Sequence, residues 1–132
     1  MKQLAKLVEP FDERLIKTKG GSFAASYVAH SEVEQKLLAT IGPHDFAVTE
    51  VLRGSDGKIE GCLARMAAVI DGEPVEIVEV GDCERPDNWK TEGARLKDAA
   101  SDAYKRCAMR LGVGLHLWSQ ELFWLDKYFK SE

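Results

Sequence analysis

Residues 97–114 read KDAASDAYKRCAMRLGVG, and together with the two residues before them they predict a long amphipathic helix. Successive residues of a helix turn by about 100°, so side chains three or four apart share a face. One arc collects Leu96, Ala100, Ala103, Tyr104, Cys107 and Leu111. The opposite arc collects Arg95, Asp98, Asp102, Lys105, Arg106 and Arg110. We expect the first arc to pack, the second to meet solvent or a ligand, and Gly112 to end the helix.

The adjacent cations Lys105 and Arg106 on the polar arc are a candidate phosphate contact. Cations in the last turns of a helix also complement the negative end of its dipole, and most charged helix faces are simply solvated. The pattern alone leaves both interpretations open.

The distribution of charge matters more for nucleic-acid binding than the net charge of −4. Residues 44–84 carry a net −7, whereas residues 85–110 carry a net +3. A local cationic groove is therefore compatible with an otherwise acidic surface.

Length and composition indicate one ordinary domain, since 132 residues with 45% hydrophobic side chains are enough to form a core. No apolar run approaches the roughly 20 residues of a membrane span, and MKQLAKLVEP lacks a secretory signal's apolar region. We expect a cytoplasmic protein without membrane contact. The odd number and wide spacing of Cys62, Cys83 and Cys107 fit core positions better than a disulfide framework or a zinc site.

Upstream of the long helix, the chain predicts a helix followed by three strands. Apolar residues recur at helical spacing over Ser31–Ile41, with Ser31 as N-cap and Gly42-Pro43 as the stop. Runs rich in valine and isoleucine over residues 46–53, 59–70 and 74–82 are separated by the turn sequences GSDG and DG. These runs predict an antiparallel meander.

The predicted fold class is α+β: a β-β-β-α core with a three-stranded meander packed on the long helix, an N-terminal helix and a short C-terminal helix. We expect a single domain over residues 1–132, with a core at about 14–118 and the last helix at about 119–129. Trp118, Phe123 and Trp124 in this last part are expected to dock against the core or a neighbouring subunit.

Several motifs resemble the Rad-fifty-two type of single-strand annealing proteins, including their short phage relatives of the Sak kind. The stretch KDAASDAYKR at 97–106, followed by Leu111-Gly112 and Gly114, resembles the helix signature of that family. The stretches SYVA at 26–29, VEQKLL at 33–38 and IGP at 41–43 resemble its entry into a helix that ends before the sheet. The resemblance covers about residues 14–118.

The resemblance implies a recombination and repair protein whose subunits form a homo-oligomeric ring with single-stranded DNA in an outer cationic groove. It implies annealing of complementary strands without a nucleotide cofactor or metal, hence no enzymatic activity. A single-strand-binding protein or an exonuclease would be the partner, in a bacterial or phage-infected cell.

The DNA contacts implied by the resemblance are Lys105, Arg106, Lys17, Lys19, Tyr27, Arg110 and Arg85. Lys105 and Arg106 match the family's paired basic residues at the groove floor, and Arg110 could extend them by one turn. Lys17 is the best match for a second groove cation, with Lys19 as its competitor. Tyr27 could stack on a base or simply pack at the helix entry, and Arg85 is a candidate outer contact.

The alternative function is a non-catalytic structural or regulatory oligomer that uses its acidic sheet for protein contacts. Catalytic readings have weaker support. His30, His44 and His116 lack metal-ligand spacing, and Glu76, Glu79 and Lys90 only imitate a nuclease cluster.

Overall fold

The computed structural model describes residues 2–19 and 25–131. Its helices are α1 (Lys2–Leu7), α2 (His30–Ile41), α3 (Glu92–Arg110), α4 (Leu115–Ser119) and α5 (Leu125–Lys130). Its strands are β1 (Ile16–Lys19), β2 (Ala25–Val28), β3 (Asp45–Arg53), β4 (Ile59–Ile70) and β5 (Glu73–Asp82). Short 3-10 turns occur at Glu13–Leu15, Pro86–Asn88 and Gln120–Leu122. The chain is α+β, as its sequence predicts.

Two compact units divide these elements. The first unit comprises Met1–Pro43, Ile70–Glu73 and Ala108–Glu132, and the second comprises His44–Val69 and Pro74–Cys107. None of the helices within 2–19 and 25–131 combines the length and the apolar character that crossing a membrane requires.

The predicted meander is confirmed in the order β3-β4-β5, with each strand within one residue of its expected ends. On the inner face of the sheet, Phe46 pairs with Met66 and Val48 pairs with Ala64. A bulge follows Val48 and shifts the register of β3 against β4. The predicted DG turn joins β4 to β5 with both residues at positive φ, 51° for Asp71 and 81° for Gly72, as a type I′ hairpin requires.

Helix α3 is confirmed, and both of its ends are hydrogen-bonded. Thr91 Oγ1 accepts a hydrogen bond from Ala94 N at 3.1 Å, which is an N-cap contact. At the other end Gly112 has φ 97°. Gly112 N donates to Met109 O at 2.9 Å and Val113 N donates to Ala108 O at 3.0 Å. This is a Schellman motif, so Gly112 ends the helix as predicted.

Small residues let α3 approach β5 closely in the second unit. A Cβ placed on Gly81 would lie 2.6 Å from Ala103 N and 2.7 Å from Ala103 Cβ, and closer still to Ala99 O. Ala99 and Ala103 belong to a buried cluster with Cys62, Ala64 and Cys83. On the helix side, the part of the core next to Gly81 is therefore an alanine stripe.

The expected phase of α3 is wrong at Arg95, which is only 8% exposed. Its Nε donates to Pro86 O at 2.8 Å and its Nη2 donates to Trp89 O at 2.7 Å. The guanidinium thus satisfies carbonyls of the Pro86–Asn88 turn and of the residue that follows it. Because hydrogen bonds offset its burial, Arg95 lies on the packed side, and it is not a ligand-facing cation.

The first unit contains a β1–β2 hairpin that the sequence did not predict. Helices α1 and α2 pack together in this unit. Helix α2 begins at His30, one residue earlier than expected, and its N-cap is Ala29 without a side-chain cap bond. The expectation of Ser31 as N-cap is wrong because Ser31 already lies inside the first turn.

The C-terminal part is not the single helix expected over about 119–129. Gln120 has φ 52°, a left-handed value that breaks the helix between α4 and α5. Of the three aromatic residues expected to dock, Phe123 is half-buried, with its ring centroid 6.0 Å from that of His116. His116 in turn lies 6.1 Å from Phe11. Trp118 and Trp124 remain exposed.

Substituting Gly81 should test how strongly the fold depends on the approach of α3 to β5. We expect Gly81→Ala to lower the free energy of unfolding by about 1–3 kcal/mol or more, because the new methyl group overpacks the helix backbone. Urea denaturation would measure the loss as a lower midpoint.

The matched control is Gly93→Ala, at a site in α3 where a Cβ would meet nothing within 4 Å. Alanine at this helical position should raise the free energy of unfolding by about 0.5–1 kcal/mol. Equal midpoints for the two variants would contradict the close packing.

The docking of the C-terminal part should weaken at acidic pH because of His116. Both of its ring nitrogens are buried without a hydrogen-bond partner among the residues described. Burial and the charge of Lys36 lower the pKa of His116, against the opposite effect of Asp126. The folded state therefore favours neutral imidazole, and its stability falls as pH drops below the ordinary value of about 6.5.

Hydrogen exchange of residues 115–131 between about pH 7.5 and about pH 5.5 would measure this loss of protection. His116→Phe keeps the ring contacts and removes the titrating group, so its protection should depend less on pH. An unchanged pH dependence in this variant would assign the effect to other groups.

Candidate nucleic-acid interface

The predicted cation pair lies on α3 in the second unit, where Lys105 and Arg106 are both half-buried. Arg106 Nε donates to Asp102 Oδ2 at 3.0 Å, one helical turn away. The same oxygen accepts a hydrogen bond from Asp82 N at 2.9 Å. Asp102 therefore ties Arg106 to the end of β5.

Arg106 lies in an acidic environment. Burial lowers the pKa of its guanidinium, but the hydrogen bond and charge of Asp102 and the charges of Asp82 and Glu79 outweigh burial and raise it. Glu79 lies on the same face of β5 as Ile77 and Gly81, the face with the buried residues. Much of the charge of Arg106 is thus compensated within the second unit, and an anion that approaches it must compete with Asp102.

The close approach at Gly81 explains this geometry, because it brings the turn of α3 that carries Ala99 and Ala103 onto the end of β5. Asp102, the neighbour of Ala103, then reaches the backbone of Asp82. Sequence reasoning missed this bond, although the spacing of Asp102 and Arg106, four residues apart, is a recognised pattern for helix ion pairs.

Tyr104 packs beneath the cation pair, as predicted for the apolar arc. Its hydroxyl oxygen is 2.6 Å from His44 Nε2, and its ring meets Phe46 edge-on at 5.2 Å. The hydroxyl of this buried residue is therefore satisfied within the second unit. No sequence pattern predicts the pairing of His44 with Tyr104, since the two residues are 60 positions apart.

In the first unit, the β1–β2 hairpin brings two predicted contacts together. Lys17 pairs directly with Tyr27 in the antiparallel register. Lys17 is exposed and Tyr27 is half-buried. Side chains that are directly opposite in this way have Cβ atoms about 4.5–5.5 Å apart. A cation and an aromatic ring therefore share one spot on the hairpin.

The other predicted contacts are more scattered. Lys19 pairs with Ala25 in the same ladder, and its side chain lies outside the described part of the structure, as do Gly20 and Gly21. Arg85 is exposed just before the Pro86–Asn88 turn. Arg110 is exposed as the last residue of α3.

The described residues give little support to a metal site or a reactive thiol. Within residues 2–19 and 25–131, no three His, Cys, Asp or Glu side chains are placed to hold a metal ion together. Cys62, Cys83 and Cys107 are buried, and none of the three is in a disulfide. Burial raises the pKa of both Cys62 and Cys83, so neither is a reactive thiolate at neutral pH.

No protein-family model matches the chain, and no curated protein sequence matches it. The positions of the cations and the aromatic ring described above are therefore the evidence on which a function can be based.

Proposed function

We propose that this chain binds single-stranded DNA and promotes the ATP-independent annealing of complementary strands. The observation that carries the proposal is the cross-strand pair of Lys17 and Tyr27. Both residues are DNA contacts implied by the family resemblance, and the hairpin pairs them directly opposite each other. Phosphates and bases alternate along a single strand, so a cation beside an aromatic ring can contact a phosphate and the base next to it.

The proposed contacts hold a strand without reading its sequence. The Lys17 ammonium attracts a phosphate, and the Tyr27 ring stacks on a base through a face that every base has. Base edges left pointing outward can then be tested by a complementary strand. Annealing of this kind needs neither a nucleotide cofactor nor a metal ion.

On α3, the proposed phosphate contacts are Lys105 and Arg106. Asp102, Asp82 and Glu79 compensate the charge of Arg106. Arg106 then contributes to DNA binding mainly when a phosphate displaces Asp102. The exposed Arg85 of the second unit and Arg110 of the first unit are further candidate phosphate contacts.

The proposal extends to a homo-oligomeric ring that acts in recombination in the cytoplasm of a bacterial or phage-infected cell. Cooperation with a single-strand-binding protein or an exonuclease belongs to the same proposal. An oligomer is favoured because one chain offers few cations to a long strand, and linked sites bind it with a higher effective concentration.

One observation favours the alternative of a structural oligomer that acts through protein contacts. Val69, Val78 and Val80 are 57%, 52% and 41% exposed on β4 and β5. Apolar side chains exposed on one sheet are typical of protein-binding surfaces. This alternative predicts that no single-stranded DNA binds.

Substitutions in the hairpin test the proposal most directly. Tyr27→Ala should weaken single-stranded DNA binding by about 1–3 kcal/mol, whereas Tyr27→Phe should keep it, because stacking needs the ring alone. Lys17→Ala should reduce the slope of log K against log salt by about 0.7, the share of one phosphate. Fluorescence quenching of two complementary oligonucleotides, without ATP or metal, would measure binding and annealing over a salt series.

The control is Lys6→Ala, which removes an exposed cation from α1 in the same unit. It should leave the salt slope unchanged. Failure of the wild-type protein to bind single strands at low salt would refute the proposal and favour the protein-binding alternative.

Removing the competitor of Arg106 should strengthen DNA binding. In Asp102→Asn the neutral amide removes one negative charge from beside Arg106. The net charge around Arg106 becomes more positive, and a phosphate no longer competes with a carboxylate. We expect DNA affinity to rise by a few fold at low salt and the rise to shrink at high salt. Titration with a labelled oligonucleotide would measure it, with Asp102→Asn/Arg106→Ala as the control that should lose the gain. Lower affinity in the single variant, with its fold intact, would contradict the role assigned to Asp102.

A further inference from the structure

The C-terminal part of the first unit exposes large apolar side chains within a short stretch of chain. Phe123 has an extended backbone, with φ −73° and ψ 125°. Trp124 has φ −136°, so the link from Phe123 to Trp124 is extended and the Trp124 side chain points away from the Phe123 ring. Phe123 packs against His116, whereas Leu122 is 82% exposed and Trp124 is 64% exposed.

Tyr128 extends the same surface from the next turn of chain. Its ring meets that of Trp124 edge-to-face at 6.4 Å, and it is 50% exposed. We call Leu122, Trp124 and Tyr128 the C-terminal apolar patch. Trp and Tyr are the residues most enriched at the energetic centres of protein interfaces.

We propose that the C-terminal apolar patch is a self-association surface whose occupant is the same patch of a second copy of this chain. With about 150–250 Å² for a large side chain, the exposed parts of the three residues come to about 400 Å². Two copies would bury about 800 Å² of apolar surface, and their polar rim brings the total to the roughly 1,000 Å² of a biological interface.

The charges around the patch favour a second copy over a nucleic acid or an anionic membrane. Glu121 and Asp126 accompany Lys127 and Lys130 within the same ten residues. A balanced rim lets the acidic groups of one copy face the lysines of the other across a two-fold axis. A surface that binds a polyanion or an anionic bilayer has more cations than anions, and this rim does not.

The contact goes beyond the proposed annealing and does not depend on it. A two-fold contact joins identical surfaces and closes at a pair, whereas a ring needs two different surfaces. If the ring also forms, the patch joins chains that belong to different rings. Self-association is therefore measured in the absence of DNA. A lack of self-association can then be distinguished from a lack of DNA binding.

Sedimentation equilibrium of the full chain, over a range of micromolar concentrations, tests the patch with Leu122→Asp and Trp124→Ala. Both residues are exposed, so the fold should survive, and circular dichroism checks that it does. We expect the wild type to associate, and each variant to associate about tenfold more weakly or worse because it loses an interface anchor. Leu38→Asp is the matched control, since Leu38 is a 47% exposed leucine of α2 in the same unit.

Two results would overturn the proposal. A wild type that stays monomeric throughout the concentration range would show that the patch does not bind a second copy of the chain. An assembly of any size that persists unchanged in both variants would place the contact elsewhere, and loss of association in Val78→Asp would then point to the sheet.

Discussion

The absence of a side chain at Gly81 is the constraint on which the second unit depends. It lets the backbone of α3 approach β5 so closely that a methyl group there would overlap with Ala99 and Ala103. The alanine stripe that fits this approach sets the rotation of the helix about its axis. That rotation places Arg95 inside, Asp102 over the end of β5, and Lys105 with Arg106 at half-buried positions. The surroundings of the cation pair are thus a consequence of packing.

Two cations that the sequence predicts as DNA contacts can lie in different electrostatic surroundings in the structure. Arg106 is held at 3.0 Å by Asp102 and lies near two further carboxylates, whereas Lys17 is exposed on the hairpin. A phosphate that approaches the guanidinium competes with the carboxylate of Asp102 for its charge, and this competition costs part of the binding free energy. The hairpin therefore carries the DNA-binding proposal better than the helix, although the helix motif suggested the family.

The sequence predicted what local patterns encode. Valine-rich runs bounded by turn residues located β3, β4 and β5, and Gly112 located the end of α3. It failed where the contacts follow no helical or strand periodicity. The hydrogen-bond partners of the Arg95 guanidinium are the backbone carbonyls of Pro86 and Trp89, and the pattern of apolar residues does not predict them. The β1–β2 hairpin has strands of only four residues each, too short for a periodicity, so the pairing of Lys17 with Tyr27 emerged only in the structure.

Self-association and DNA binding become linked if both occur, although neither requires the other. The proposed DNA contacts of one chain include few cations, so its affinity for a strand is modest and falls steeply with salt. Joining two chains through Leu122 and Trp124 would double the contacts available to a long strand without adding any to a short one. The gain from assembly should therefore grow with oligonucleotide length. A strand that spans a single hairpin should bind a chain with a disrupted C-terminal apolar patch as well as it binds the wild type.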